Sequence, residues 1–224
     1  MNHPNSKPTC CPTPERLSGV RSLEVRWIFP GRLAAAVAGW FGPFPATAES
    51  REDIYLIAPE LPGLSVKLRG GQALEVKVHR GSAGILEVAD RARGRVESWQ
   101  KWSFPVRALN QSGRDVAAWQ PVRKRRRISR FSLASGRIVA GPGPGQQARC
   151  GVELTEIRAG GQDWWSLGLE ATGPAGLLRG TLEATAAFVF ARPIPSVAEL
   201  SPNESRSYAE WLSDLDRLIV TPAR

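Results

Sequence analysis

From residue 21 onward, apolar and polar residues alternate in short runs. Period two is the mark of strands, whose successive side chains point to opposite faces. Leu23, Val25 and Trp27 alternate with Glu24 and Arg26, and Leu64, Val66 and Leu68 with Ser65, Lys67 and Arg69. Leu74, Val76 and Val78 alternate with Glu75, Lys77 and His79, while Leu167 and Leu169 alternate with Ser166, Gly168 and Glu170. Gly70-Gly71 separates two of these runs so closely that it predicts a hairpin from Leu64 to His79. Gly160-Gly161 predicts a second, pairing Val152–Ile157 with Trp164–Ala171. Gly141-Pro-Gly-Pro-Gly145 reads as a loop, because alternating Pro and Gly cannot sustain a ladder. The period then changes. Leu177–Phe190 fits a helix, and Ser205–Ile219 an amphipathic one, with Tyr208, Trp211, Leu212, Leu215 and Leu218 on one side. Residues 1–20, with four prolines and little hydrophobic pattern, read as a flexible tail, and 21–224 as a single domain. No internal repeat is visible.

Composition narrows the function classes. The chain has 224 residues and a formal charge of +9, which asks for an anionic partner without choosing among phosphate compounds, nucleic acid and membrane. Cys10, Cys11 and Cys150 form neither a CxxC pair nor a Cys/His cluster, so a structural zinc site is not expected. His3 and His79 alone cannot build a histidine metal site. An odd cysteine count without a disulfide framework fits a reducing compartment, and a cytoplasmic location is the expectation. The apolar run Leu33–Phe41 is too short to span a bilayer and lacks the flanks of a signal peptide, so no membrane partner is expected. The Gly141–Gly145 stretch is no phosphate-binding loop, since no Gly-Lys-Ser/Thr follows. Nothing in the sequence sets an oligomeric state.

The placement of charge is more informative. Glu24 and Arg26 share one strand face; so do Lys67 and Arg69, Glu75 and Lys77, and Arg95 and Glu97. In Arg123–Arg127, Lys124 and Arg126 share a face and the other three cations oppose them. Glu153 and Glu170 lie on the polar faces of their strands. Such faces suit the wet side of an open antiparallel sheet. They equally suit a closed sheet whose charged interior is neutralised by an anion, with arginine forks and lysines meeting phosphate oxygens. Carboxylates among those cations suit a hard divalent cation. The spacing leaves both readings open. The run Arg123–Arg127, near Trp99, Trp102 and Trp119, also admits a nucleic-acid surface, although core packing is the commoner fate of such tryptophans. His79 reads as an ordinary polar strand residue.

The order of the pieces adds something. Leu23-Glu-Val-Arg-Trp27 is followed by Asp53-Ile-Tyr-Leu56, Val66-Lys-Leu-Arg69, Leu74-Glu-Val-Lys77, Arg95-Val-Glu97, Lys124-Arg-Arg126, Cys150-Gly-Val-Glu153 and Leu167-Gly-Leu-Glu170. Ser207-Tyr-Ala-Glu-Trp-Leu212 comes last. Over roughly residues 21–219 this order resembles the CYTH family, the triphosphate tunnel metalloenzymes. The resemblance implies an α+β fold: a closed antiparallel β-barrel of eight strands with flanking helices. It implies action on triphosphate-containing substrates with magnesium or manganese. Lys67, Arg69, Lys77, Arg95, Lys124, Arg126 and Arg26 would then hold phosphate, and Glu24, Glu97, Glu153 and Glu170 metal.

Two positions depart from that pattern. Arg26 stands where a second glutamate is expected on the opening strand, and Gly168 where the first is expected on the closing strand. Half of each carboxylate pair is thereby missing. Two outcomes remain open: a divergent metal-dependent phosphohydrolase, or a protein that binds a polyphosphate-type anion without turning it over. A non-catalytic nucleic-acid or anion-binding module and a purely structural β-domain are the alternatives.

Overall fold

Every long alternating run is a strand. The computed structural model describes residues 19–106, 119–134, 136–141 and 148–220. The expected tail, with Cys10 and Cys11, and most of the Gly141–Gly145 loop lie outside these residues. The strands are β1 (Val20–Pro30), β2 (Ala46–Leu56), β3 (Leu64–Arg69), β4 (Ala73–Val88), β5 (Ala92–Pro105), β6 (Trp119–Ala134), β7 (Arg137–Ala140), β8 (Arg149–Ala159) and β9 (Gln162–Thr172). The helices are α1 (Ala35–Phe41), α2 (Ala175–Val189) and α3 (Tyr208–Val220).

Eight strands pair antiparallel in the order β2-β3-β4-β5-β1-β9-β8-β6, and β6 pairs back onto β2 from Ala46↔Ser129 to Leu56↔Trp119. The sheet therefore closes into a barrel and leaves no free edge in the ring. The short β7 pairs with β6 outside the ring. Both predicted hairpins form. Gly160 and Gly161 carry φ of 55° and 75°, the double positive φ that a two-residue primed turn demands.

Closure settles which side of each strand is wet. The apolar faces look outward; those of β1, β8 and β9 are covered, while Leu64, Val66, Leu74, Val76 and Val78 of β3 and β4 stay half-buried. Val25 and Trp27 of β1, Val152 and Leu154 of β8, and Leu167 and Leu169 of β9 are buried with Leu178, Leu182, Ala186 and Val189 along one stripe of α2. Val37, Trp40 and Phe41 of α1, inside the Leu33–Phe41 run, join the same core. No helix among the described residues is long and apolar enough to cross a membrane.

The third helix has a different task. Ser207 and Glu210 form a reciprocal cap: the Ser207 Oγ accepts the Glu210 amide at 3.2 Å, and the Glu210 carboxylate accepts the Ser207 amide at 2.9 Å. That fixes the start of α3, whose Trp211, Leu212 and Leu215 are buried with Ile28, Tyr55, Val122, Ile157, Ala159 and Trp164. Those strand residues occupy the inward register of their strands, so α3 plugs one end of the barrel.

Candidate anion-binding tunnel

The remaining inward positions surround a cavity of about 440 Å³. Of the residues expected to hold phosphate or metal, Arg26, Lys67, Arg69, Lys77, Lys124, Arg126, Glu24, Glu97, Glu153 and Glu170 all line it. Arg95 does not. It shares a face with Glu97 but sits at the α3 end, where its Nε donates to the Ser205 carbonyl at 2.9 Å and its Nη2 lies 3.1 Å from Glu210. Arg95 thus anchors the start of α3, and its expected phosphate contact is corrected accordingly.

The tunnel also contains residues that the sequence did not flag: Glu49 and Arg51 of β2, Tyr208 of α3, and Lys101, Arg130 and Arg149 near the open end. The β2 residues are hard to see because the face opposite them in Ala46–Arg51 offers only Ala46, Ala48 and Ser50, too little hydrocarbon to mark an apolar side. That outer face is as exposed as the inner one is charged, so no period of two survives. Tyr208 lies in a helix whose apolar stripe was legible, but only barrel closure brings it over the cavity.

Inside, cations and carboxylates alternate. Asp53, fully buried, lies 2.9 Å from Arg51 Nε, 3.4 Å from Lys67 Nζ and 3.3 Å from Lys124 Nζ. Glu75 meets Lys67 at 3.1 Å and Arg69 at 2.9 Å. Both Glu24 oxygens accept from Lys77 Nζ, at 2.6 and 2.7 Å, and Oε1 also accepts the Ser22 hydroxyl at 2.5 Å. Glu153 accepts Arg26 at 3.3 Å, the Thr155 hydroxyl at 2.7 Å, and Arg126. Burial by itself would raise these carboxyl pKa values, but the neighbouring cations prevail. Asp53, Glu24 and Glu153 are held below the usual range, and Glu75 falls to about 2. Glu97 behaves oppositely. Burial and the Glu210 charge push it up, even though the Trp99 indole donates to it at 3.1 Å.

The balance is positive. Ten lysines and arginines line the cavity against six glutamates, with Asp53 behind them. The surplus lies towards the open end, where Lys101, Arg130 and Arg149 have no carboxylate partner among the described residues. At the sealed end Lys124 donates to the Tyr55 hydroxyl at 2.6 Å and lies 3.9 Å from the centre of the Tyr208 ring. Burial, with Lys67 close by, lowers the Lys124 pKa.

The two departures prove to be neighbours. Arg26 and Gly168 are directly paired across β1 and β9. A Cβ at position 168 would lie 2.9 Å from the Arg26 Cζ and 3.0 Å from both terminal nitrogens. The guanidinium fills the space that a side chain at 168 would need. It also bonds Ser166 Oγ at 3.2 Å and stacks 4.8 Å from the Tyr208 ring centre. The residues present therefore do not fit a carboxylate-held magnesium or manganese ion. A cation stands among the expected ligands, two arginines share Glu153, and Lys77 takes both Glu24 oxygens. No group of three or more potential metal ligands comes together among the described residues.

The basic run divides as its alternation implied. Lys124 and Arg126 face inward, while Arg123 pairs with Glu52 at 2.9 Å and Arg127 bonds the Ala38 carbonyl at 3.2 Å. Trp99 is buried, but in the cavity lining rather than in either apolar cluster, with Lys77 Nζ 5.5 Å from its ring centre. Cys150 is buried too, and burial pushes its thiol up to about 12.

No protein-family model matches the chain, and no curated protein sequence matches it. Among solved structures, the chain is similar to the RNA triphosphatase Pct1 of S. pombe, with a TM-score of 0.38 and 10% identity over 91% of this chain and 82% of that one. Likeness at this level says nothing about chemistry; the barrel and its lining speak for themselves.

Proposed function

We propose that the tunnel binds a linear triphosphate- or polyphosphate-type anion, held chiefly by Arg26, Lys67, Arg69, Lys77, Lys124 and Arg126. One observation carries this reading: a cavity of about 440 Å³ inside the barrel, open at one end, with ten cationic side chains against six glutamates. That volume lies within the usual span for small-molecule sites. The cations without a carboxylate partner stand at the mouth, where Arg130 and Arg149 are exposed and Lys101 is half-buried, so their field draws an anion towards the paired cations inside. A chain of phosphoryl groups carries several charges in a row, which matches cations spread along a tunnel better than a single carboxylate would. Arginine forks also suit its paired oxygens. The reading is of a receptor. Turnover is not part of it, because two of the four carboxylates expected to hold a water-activating metal are engaged, Glu153 by Arg26 and Arg126 and Glu24 by Lys77, and no three potential ligands come together among the described residues.

Thermal unfolding with and without tripolyphosphate tests this. A ligand that binds only the folded state at a hundred times its Kd stabilises by about 2.7 kcal/mol. At low salt, millimolar tripolyphosphate should raise Tm by several degrees, and Lys67→Ala with Arg69→Ala should remove most of that gain. An unchanged Tm in the unmodified protein would refute the reading.

A further inference from the structure

We infer that Arg26, seated in the space left by Gly168, is the tunnel's built-in counter-cation, so that phosphate is bound without a divalent metal ion. This rests on the anion-binding reading above and adds the form in which the anion enters: free, not as its magnesium complex.

Four observations converge on it. First, the pair is mutually dependent, because Arg26 and Gly168 face each other in register and even a methyl group at 168 would meet the guanidinium at 2.9 Å. Second, the guanidinium is fixed from three sides, by Glu153 at 3.3 Å, Ser166 at 3.2 Å and the Tyr208 ring at 4.8 Å. Its position is set before any ligand arrives, which lowers the ordering cost of binding. Third, its donors are not exhausted. Both of its side-chain hydrogen bonds run from Nη1, whereas Nε and Nη2 donate to no described residue. Arg26 lines the cavity, so those N–H groups are available to an oxyanion there. Fourth, the one carboxylate that pairs with Arg26 among the described residues, Glu153, is shared with Arg126, so the Arg26 charge is only partly offset.

The sign of the magnesium effect follows. In a tunnel that uses a carboxylate-held metal, magnesium strengthens phosphate binding. Here a magnesium–phosphate complex brings a dication beside a fixed guanidinium and carries less negative charge for the remaining cations. Magnesium should compete with the tunnel for the anion.

Calorimetric titration of tripolyphosphate into the full chain, in EDTA and in excess magnesium, decides the matter. Binding is expected in EDTA, with magnesium weakening it by roughly tenfold or more, the equivalent of losing one favourable charge contact. Arg26→Gln should weaken binding in EDTA by a similar factor, and Arg26→Lys, which keeps the charge, should lose much less. Gly168→Ala changes no charge but displaces the guanidinium, so it too should weaken binding; it keeps the test usable should Arg26→Gln fail to fold. Binding seen only with magnesium would overturn this inference and leave the anion-binding reading standing. Undiminished affinity in folded Arg26→Gln would do the same. Absence of binding under both conditions would overturn the two together.

Discussion

Along β1 the inward positions run Glu24, Arg26, Ile28; along β9, read in the opposite direction, they run Glu170, Gly168, Ser166, Trp164. On β8 the series is Glu153, Thr155, Ile157, Ala159, and on β6 it is Arg126, Lys124, Val122. Each strand passes from charge to hydrocarbon on a single face, and the changeovers fall at one end of the barrel. There α3 seats Trp211, Leu212 and Leu215. The two regions share strands, register and closure yet differ in what they contribute. The sealed end buries large apolar side chains and so stabilises the fold. The charged section gains little net stability from its ion pairs, because desolvation offsets most of their attraction. Barrel closure supplies the enclosure, and height along the barrel sets the chemistry.

The largest effect expected from this contrast comes from the plug. Trp211→Ala removes a fully buried side chain and should cost about 3–5 kcal/mol, read as a lower denaturant midpoint. The tripolyphosphate-induced stabilisation should survive in the protein that remains folded, since Trp211 does not line the cavity. Simultaneous loss of stability and anion response would erase the division between the two ends.

A smaller effect belongs to the charged section. Asp53, Glu24, Glu153 and Glu75 have pKa values below those of an unfolded chain, so their stabilisation is complete above the ordinary carboxylate range. It should be lost progressively as pH falls below about 4.5, the Glu75 share going as pH passes about 2. Glu97 has the opposite sign: its raised pKa disfavours folding at neutral pH and is relieved on acidification, so it partly offsets the loss. Denaturant midpoints should therefore be level from neutral pH to about 5 and decline below it, more gently in Glu75→Gln. A midpoint that rises on acidification would reverse the assignment.

Much of this was legible in the chain. Period two in β1, β3, β4 and β9 assigned faces correctly, because each of those strands has one apolar side. Gly160-Gly161 marked its hairpin because a primed turn needs two residues that tolerate positive φ. The amphipathic pattern found α3 but began it at Ser205, whereas the helix starts at Tyr208, where the cap between Ser207 and Glu210 fixes it. What stayed hidden depends on closure. The inward Glu49 and Arg51 belong to a stretch whose opposite face holds only Ala46, Ala48 and Ser50, and it is this strand that seals the ring against β6. Arg95 obeys the alternation, yet α3 covers its end of the strand, a long-range contact that no local pattern carries. The mutual fit of Arg26 and Gly168 was invisible for the same reason. The two lie far apart in sequence, and each alone reads as a loss.

The central claim is that the anion occupies the barrel interior. The most direct measurement is a crystal structure of the protein grown with tripolyphosphate in the absence of divalent cations. The account predicts phosphate density inside the tunnel, within hydrogen-bonding distance of Arg26, Lys67, Lys77 and Arg126. Density confined to the outer arginines, Arg123 and Arg125, with the tunnel holding only water, would contradict it.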